Sequence, residues 1–363
     1  MSNTYIETAG RIKIYDSAVR AHDALPVGTY RVQHNPKEGF SLLRVSDLTV
    51  GAERVYGDRA HRLDKIFSAH ERISRSLGVM LSGNKGQGKS LFLRMIAERA
   101  RSLALPVVLV TEDVDGIVEF LDTLDECVLI FDEFEKTFSN GRRDRFGSAD
   151  RQSQFLSLFD GMSSVKRIYC LTVNDLADVS EYIVNRPGRF HYHMRFDYPG
   201  PDEVRAYLTD QAPDAAAPEI ENAVLFSRHI PVSYDHLRAI AFEMNDPEAR
   251  FSEIINDLNI KATEPLTYRV DARFASSPPL SDEVTLNIHE RGDMVRTIEL
   301  RDNRRALCFS FRPQDLLFDD SGEIFLPVSR IDILDEYDET PDELPVSVSL
   351  TLVGQTSYGF RMD

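Results

Sequence analysis

Between about residues 61 and 200 the chain alternates short apolar runs with longer stretches in which apolar residues recur every three or four positions. Val79–Leu81, Pro106–Val110, Cys127–Phe131 and Ile168–Val173 are the apolar runs. Ser90–Leu103, with Leu91, Leu93, Ile96 and Ala97 at helical spacing, and Arg151–Phe159 read as helices. Only a sheet covered on both faces can bury both sides of a strand. The pattern therefore predicts an α/β domain, a parallel sheet between helices.

The flanks have other periods. Thr29–Gln33 and Phe40–Val45 are strand-like and enclose the turn-prone His34–Gly39, which predicts a small β-rich N-terminal element. Helical patterns return at Pro201–Thr209, Ile220–Phe226, Tyr234–Met244 and Phe251–Ile260. The pattern then turns β again, at Thr267–Phe274, Glu283–His289, Ala306–Phe311 and Val346–Val353. The expected organisation is 1–55, a β-rich element; 56–200, the α/β domain; 201–262, a helical segment; and 263–363, a β-rich acidic domain.

Composition changes this picture in few places. With 363 residues, 42% apolar and 28% charged, the chain is an ordinary globular one. A formal charge of −17 counts against sequence-independent DNA binding, which needs a basic surface to displace counterions. The last region has about twenty acidic side chains, about ten arginines and no lysine; its densest stretch, Asp332–Glu343, reads as a solvated loop. Cys127, Cys170 and Cys308 follow no metal-ligand spacing, sit in apolar runs and fit a reducing cytoplasm. Neither a secretory signal nor an apolar window of about 18 residues is present, so a soluble intracellular protein is expected.

The chemistry is concentrated in two segments. Gly83-Asn84-Lys85-Gly86-Gln87-Gly88-Lys89-Ser90 matches G-x-x-x-x-G-K-[ST] at every fixed position, between a strand and a helix. Glycines let backbone N–H groups wrap phosphates, and the helix N-terminus adds a favourable dipole. ATP is expected here, held by Gly83 to Ser90 and by Leu91, with Lys89 on the β- and γ-phosphates and the Ser90 hydroxyl on Mg²⁺. A second element is expected on a neighbouring strand. Cys127–Phe131 supplies it, running into Asp132, a candidate Mg²⁺ holder, and Glu133, a candidate to polarise the attacking water.

Through these motifs the chain resembles the AAA+ ATPases, and the AAA clade proper, over about residues 50–262. Gln154-Phe155-Leu156-Ser157-Leu158-Phe159-Asp160-Gly161 is similar to the clade's helix ending in LLxxxDG. Leu171-Thr172-Val173-Asn174 resembles its sensor-1 strand, which implies that Asn174 positions the lytic water. Asn185-Arg186-Pro187-Gly188-Arg189-Phe190 resembles its RPGRF signature, which implies that Arg186 and Arg189 are arginine fingers for a neighbouring subunit. The resemblance implies a homo-oligomeric ring, most often a hexamer, with the helical segment as a lid. Val232–Leu237 stands where the clade's lid helix begins, without a sensor-2 arginine, which Arg238 could imitate. Tyr56 and Gly57 lie where family members cradle adenine.

The departures matter for the substrate. Thr111–Glu126 is short and offers only Val114-Asp115-Gly116 where many unfoldases carry an aromatic pore loop, so threading of unfolded chains is not supported. The layout resembles the Bcs-type AAA proteins, without their membrane anchor. Asn140–Asp150, with Arg142, Arg143 and Arg145, reads as an inserted polar loop, and His191 and His193 as a surface strand face lacking further metal ligands. The expectation is a ring-forming ATPase that remodels an unidentified protein or protein complex, its flanking β regions recognising the target. Open alternatives are a nucleic-acid-associated machine such as a helicase loader, disfavoured by charge, and a nucleotide-gated assembly scaffold.

Overall fold

The computed structural model describes residues 4–8, 10–15, 19–51, 54–138, 151–160, 165–184, 189–258, 265–288, 295–302, 305–318, 324–334 and 343–353. The chain divides into two compact units, Met1–Phe196 and Asp197–Asp363.

The first unit begins with an antiparallel pair, β1 (Thr4–Thr8) and β2 (Arg11–Tyr15), then β3 (Thr29–Asn35), β4 (Gly39–Val45) and α1 (Arg59–Arg72). There follow β5 (Leu77–Ser82), α2 (Lys89–Ser102), β6 (Val107–Leu109), α3 (Ile117–Asp122), β7 (Val128–Phe131) and α4 (Phe134–Thr137). After these come α5 (Arg151–Gln154), α6 (Leu156–Phe159), β8 (Ile168–Val173), α7 (Glu181–Val184) and β9 (Tyr192–Arg195). A seven-stranded sheet has the order β4-β3-β6-β7-β8-β5-β9, parallel except for the β3–β4 hairpin. The hairpin legible in the sequence thus enters the sheet, β3 pairing with β6 from Thr29↔Val107 to Arg31↔Leu109.

Alternate residues of the apolar strands feed two cores, as a doubly covered sheet requires. Val79, Leu81, Val128, Ile130, Ile168 and Cys170 pack with Phe67, Phe92 and Ile96 of α1 and α2. Met80, Leu129, Phe131, Tyr169 and Leu171 pack on the other side with Ile117, Phe134, Phe155 and Phe159. The helix expected over Arg151–Phe159 is broken at Phe155, whose N–H bonds Gln152 O three residues back in a tightened turn.

The second unit opens with α8 (Pro201–Gln211), α9 (Ala217–His229), α10 (Tyr234–Met244) and α11 (Phe251–Asp257), packed around Val204, Leu208, Leu237 and Ile240. A capping box starts α10: Ser233 Oγ accepts the His236 N–H, and His236 Nδ1 accepts the Ser233 N–H. The β-rich part holds β10 (Leu266–Arg273), β11 (Leu280–Leu286), β12 (Arg296–Arg301), β13 (Ala306–Phe311), β14 (Leu317–Phe318), β15 (Ile324–Leu326), β16 (Asp332–Ile333) and β17 (Ser347–Leu352). They form antiparallel sheets of order β11-β10-β17-β15-β14 and β12-β13-β16, sharing one core that contains Val270, Leu300, Phe309 and Leu350. No helix among the described residues is long and apolar enough to cross a membrane.

Candidate nucleotide site

Strand order decides which side chains meet. In a parallel α/β sheet, ligand-binding loops gather beyond the carboxyl ends of the strands. Here β5, β8 and β7 are consecutive in the sheet, and register pairs Ser82 with Val173 and Phe131 with Leu171. The loop after β5, Asn174 after β8 and the Asp132–Glu133 pair after β7 therefore emerge side by side. The acidic pair was expected on a strand neighbouring the P-loop strand. Instead β8 lies between the two, which gives Asn174 the central position.

The loop after β5 has the conformation that phosphate binding needs. Gly83, Gly86 and Gly88 have φ of +144°, +75° and +89°. Gly83 also admits a close approach, since a Cβ there would lie 2.2 Å from the Phe196 carbonyl oxygen. Gly88 is the N-cap of α2, a fourteen-residue helix with no side-chain cap, so backbone donors at its N-terminus have no side chain spent on them. Lys89 Nζ donates to Gly83 O, to Asn84 O at 2.8 Å and to Asn174 Oδ1 at 2.9 Å. Burial pulls the Lys89 pKa down, while Glu135, Asp132 and Glu133 oppose the shift. Gln87 is fully buried, and neither atom of its side-chain amide has a hydrogen-bond partner among the described residues. Ser90 and Leu91 occupy the first turn of α2, and Lys85 and Ser90 are exposed. The glycine cradle, the helix N-terminus and the inward lysine fit a polyphosphate.

The acidic end is built by α4 and β8. Glu133 takes φ +48°, a left-handed turn that ends β7 and starts α4. Thr172 Oγ1 accepts the Glu133 N–H at 2.7 Å and donates to Asp132 Oδ1 at 2.5 Å. Asn174 Nδ2 donates to Glu133 Oε1 at 3.2 Å and to Glu135 Oε1 at 2.8 Å. Lys136 donates to Glu133 Oε1 and, as the largest influence, holds its carboxyl below the usual range. Asp132, fixed by a hydroxyl, and Ser90 are a hard-oxygen donor pair suited to Mg²⁺. An ionised Glu133 beside Asn174 can accept a proton from water or orient it.

A family model described as "ATPase family associated with various cellular activities (AAA)" matches residues 79–198, the span from β5 past β9. These residues are an AAA ATPase domain. Two curated relatives agree: the chain is 29% identical over 143 residues to "Peroxisomal ATPase PEX1" of Homo sapiens and 28% identical over 149 residues to that of Komagataella phaffii. The matches cover 36% and 38% of this chain but only 11% and 13% of those proteins.

Around this AAA domain the remaining expected residues are placed unevenly. Tyr56 is buried and Gly57 has φ +73°; Arg59 donates to Tyr56 O at 2.5 Å and to Gln87 O at 3.3 Å, tying that segment to the P-loop. Arg189, expected to reach out of its subunit, is instead 5% exposed and turned inward. Its Nε and Nη2 make a forked pair with the Asp160 carboxylate, and Nη1 donates to Tyr182 O. Asp160 offers two oxygens at the spacing a guanidinium fits, which accounts for the orientation. Arg186 and the inserted Asn140–Asp150 lie outside the described residues. His193 Nε2 meets Ser82 Oγ at 2.7 Å at the foot of the P-loop, where burial and then Arg195 push its pKa down. Arg238 is exposed and lies 4.0 Å from Asp235.

Three residues at or beside the site had no role assigned from the sequence. Thr172 and Glu135 touch the candidate catalytic groups, and Arg59 braces the glycine-rich loop through Gln87 O. Thr172 reads as one more β-former in an apolar strand, and Glu135 as a helix-surface acid. Only β8's central place, and a buried position for α4's first turn, reveal them. Beneath the site an aromatic cluster joins Phe131 to Phe159 at 5.8 Å and Phe159 to Phe190 at 5.1 Å, so the residues before Asp132 and after Arg189 share one packed core.

Proposed function

We propose that this chain is the subunit of a ring-forming ATPase that couples ATP hydrolysis to the remodelling of a protein or protein complex. The observation that carries the hydrolytic part is Asn174, whose amide accepts from Lys89 and donates to Glu133. A protein that only binds nucleotide has no need of a carboxylate held next to the phosphate-binding lysine. In this reading Lys89 and the P-loop amides hold the phosphates, Glu133 polarises the attacking water, and Asn174 orients both. Asp132 and Ser90 hold Mg²⁺, which neutralises charge on the phosphate oxygens when bound.

ATP hydrolysis is supported further by the likeness to the peroxisomal ATPase PEX1, and remodelling by a β-rich region, 265–353, that ATPase chemistry does not require. The helices α8 to α11 serve as the lid. Arg186 and Arg189 complete the site of a neighbouring subunit, which for Arg189 requires exchanging Asp160 for phosphate. The buried thiols of Cys127, Cys170 and Cys308 support a reducing compartment such as the cytoplasm; burial pushes Cys127 and Cys170 up to about 12.

The test is turnover per subunit against protein concentration, with mass photometry on the same samples and with Glu133→Gln alongside. Turnover should rise as a ring forms. Glu133→Gln should bind ATP, keep the ring and stop turnover, and so retain a protein target for capture. Turnover independent of concentration would overturn the ring; undiminished hydrolysis by Glu133→Gln would overturn the assignment of the site.

A further inference from the structure

Glu135 carries an arrangement that a helix-surface acid does not need. It sits in the first turn of α4, only 5% exposed, two residues after the left-handed turn at Glu133. Its Oε1 accepts both the backbone N–H of Asn174, at 3.1 Å, and the side-chain Nδ2–H, at 2.8 Å. Its Oε2 is buried and has no hydrogen-bond partner among the described residues. A buried carboxylate oxygen left unpaired is costly. A fold that keeps one beside a reaction centre is using it for something other than stability.

What it does follows from the two ends of an amide. Asn174 has an acceptor, Oδ1, and a donor, Nδ2, and a flip exchanges them. In the observed orientation Oδ1 receives the Lys89 ammonium and Nδ2 donates toward Glu133 and Glu135. After a flip, Oδ1 would face two carboxylate oxygens and Nδ2 would face an ammonium, so every contact would be repulsive. Glu135 also holds the Asn174 backbone, which places the start of the side chain as well as its end. Among the carboxylates that favour the charged form of Lys89 against burial, Glu135 is the strongest.

We propose that Glu135 is a positioning residue for ATP hydrolysis: it fixes Asn174 so that one end of its amide faces Lys89 and the other faces Glu133. This rests on the reading of Glu133 and Asn174 as the pair that orients water. Glu135 acts through Asn174, whose backbone N–H and side-chain Nδ2 both donate to it.

The test compares Glu135→Ala, Glu135→Gln, Asn174→Ala and the double variant Glu135→Ala/Asn174→Ala in the full chain. The readouts are kcat, KM for ATP and thermal unfolding. A misplaced catalytic group costs on the order of 10²-fold, so Glu135→Ala should lower kcat by about 10- to 100-fold. KM should stay within about threefold, because ground-state binding is not what is lost. Glu135→Gln keeps an oxygen that accepts both hydrogen bonds and should recover most of kcat. The double variant should be no slower than Asn174→Ala alone. Losses that multiply in the double variant would overturn the proposal, as would Glu135→Ala with wild-type kcat. If Glu135→Ala does not fold, Glu135→Asp, which withdraws the carboxylate by one methylene, should show the same loss of kcat; unchanged turnover would overturn the idea equally. Glu133→Gln run in parallel separates the two readings. If that variant still hydrolyses ATP, the site assignment has failed, whatever Glu135 does.

Discussion

Thr172 Oγ1 lies 2.5 Å from Asp132 Oδ1, so the hydroxyl of one strand restrains the carboxylate that follows the next. The same oxygen accepts the Glu133 N–H at 2.7 Å. Replacing it by the methyl of Thr172→Val keeps the shape but takes this partner from the Glu133 N–H and from the exposed Asp132 carboxylate. The expected loss is about 0.5–1.5 kcal/mol of unfolding free energy, the net worth of an ordinary hydrogen bond, together with slower ATP turnover. Thr172→Ser keeps the hydroxyl and should stay near wild type in both. Urea unfolding and a steady-state ATPase assay check this; a Val variant equal to wild type in both would mean that the hydroxyl does not hold the pair.

A pH dependence follows from Lys136. Its ammonium is the largest influence holding the Glu133 carboxyl below its ordinary range. A depressed pKa favours the carboxylate, so the active ionised form persists to lower pH than it otherwise would. Removing the ammonium in Lys136→Met lets the pKa rise, and the acidic limb of the kcat profile should move to higher pH. The same sign applies to stability: the pair contributes above the unfolded-state pKa of Glu133 and is lost as pH falls through the folded one. Both side chains are close to half exposed, so that contribution is small and the profile of kcat is the readout to use. An acidic limb that stays in place would show that Glu133 is not the group titrating there.

Gly83 should tolerate no side chain. With φ +144°, a Cβ would meet the Phe196 carbonyl oxygen at 2.2 Å and Gln87 Oε1 at 2.3 Å. The Gln87 chain could move, but the Phe196 oxygen is backbone next to β9. Gly83→Ala should cost about 1–3 kcal/mol or more and abolish binding of a fluorescent ATP analogue. Gly200, where a Cβ meets nothing within 4 Å, is the control, and Gly200→Ala should bind the analogue as wild type does. Normal binding by Gly83→Ala would mean that the loop adopts another path.

Much of this was legible because continuous apolar runs and the G-x-x-x-x-G-K-S spacing each have one economical physical solution. Ile168–Val173, Ala306–Phe311 and Tyr234–Met244 have the bounds that the pattern says, and the capping box of Ser233 and His236 fixes the start of the last. Strand order was not legible, since nothing local to Cys127–Phe131 says that β8 will slip between it and β5. The pairing of β3 with β6 is hidden for the same reason: it joins residues 78 positions apart. The β1–β2 hairpin was missed because Tyr5, Ile12 and Ile14 are exposed and no buried face imposes a period. Thr172 and Glu135 illustrate the limit at the site, where function depends on which neighbour a common residue acquires.

Arg189 offers the last prediction, because its inward fork and its proposed role in trans make different demands. A bidentate pair with Asp160 and a third bond to Tyr182 O use three of its nitrogens, and a lysine cannot reproduce that fork. Arg189→Lys and Asp160→Ala should therefore both destabilise the chain. A thermodynamic cycle with Arg189→Ala should give a coupling of at least about 0.5–1 kcal/mol, as contacting charged residues do. Turnover separates the two roles. If the guanidinium leaves Asp160 to serve a neighbouring subunit, Arg189→Ala should lose the rise of rate with protein concentration, while Asp160→Ala, which frees the arginine, should keep it. If the pair is purely internal, the two variants should lose stability and turnover together. Measuring both rates across the concentration range in which the ring assembles, with mass photometry to confirm that assembly, distinguishes an arginine on loan to its own subunit from one that never leaves it.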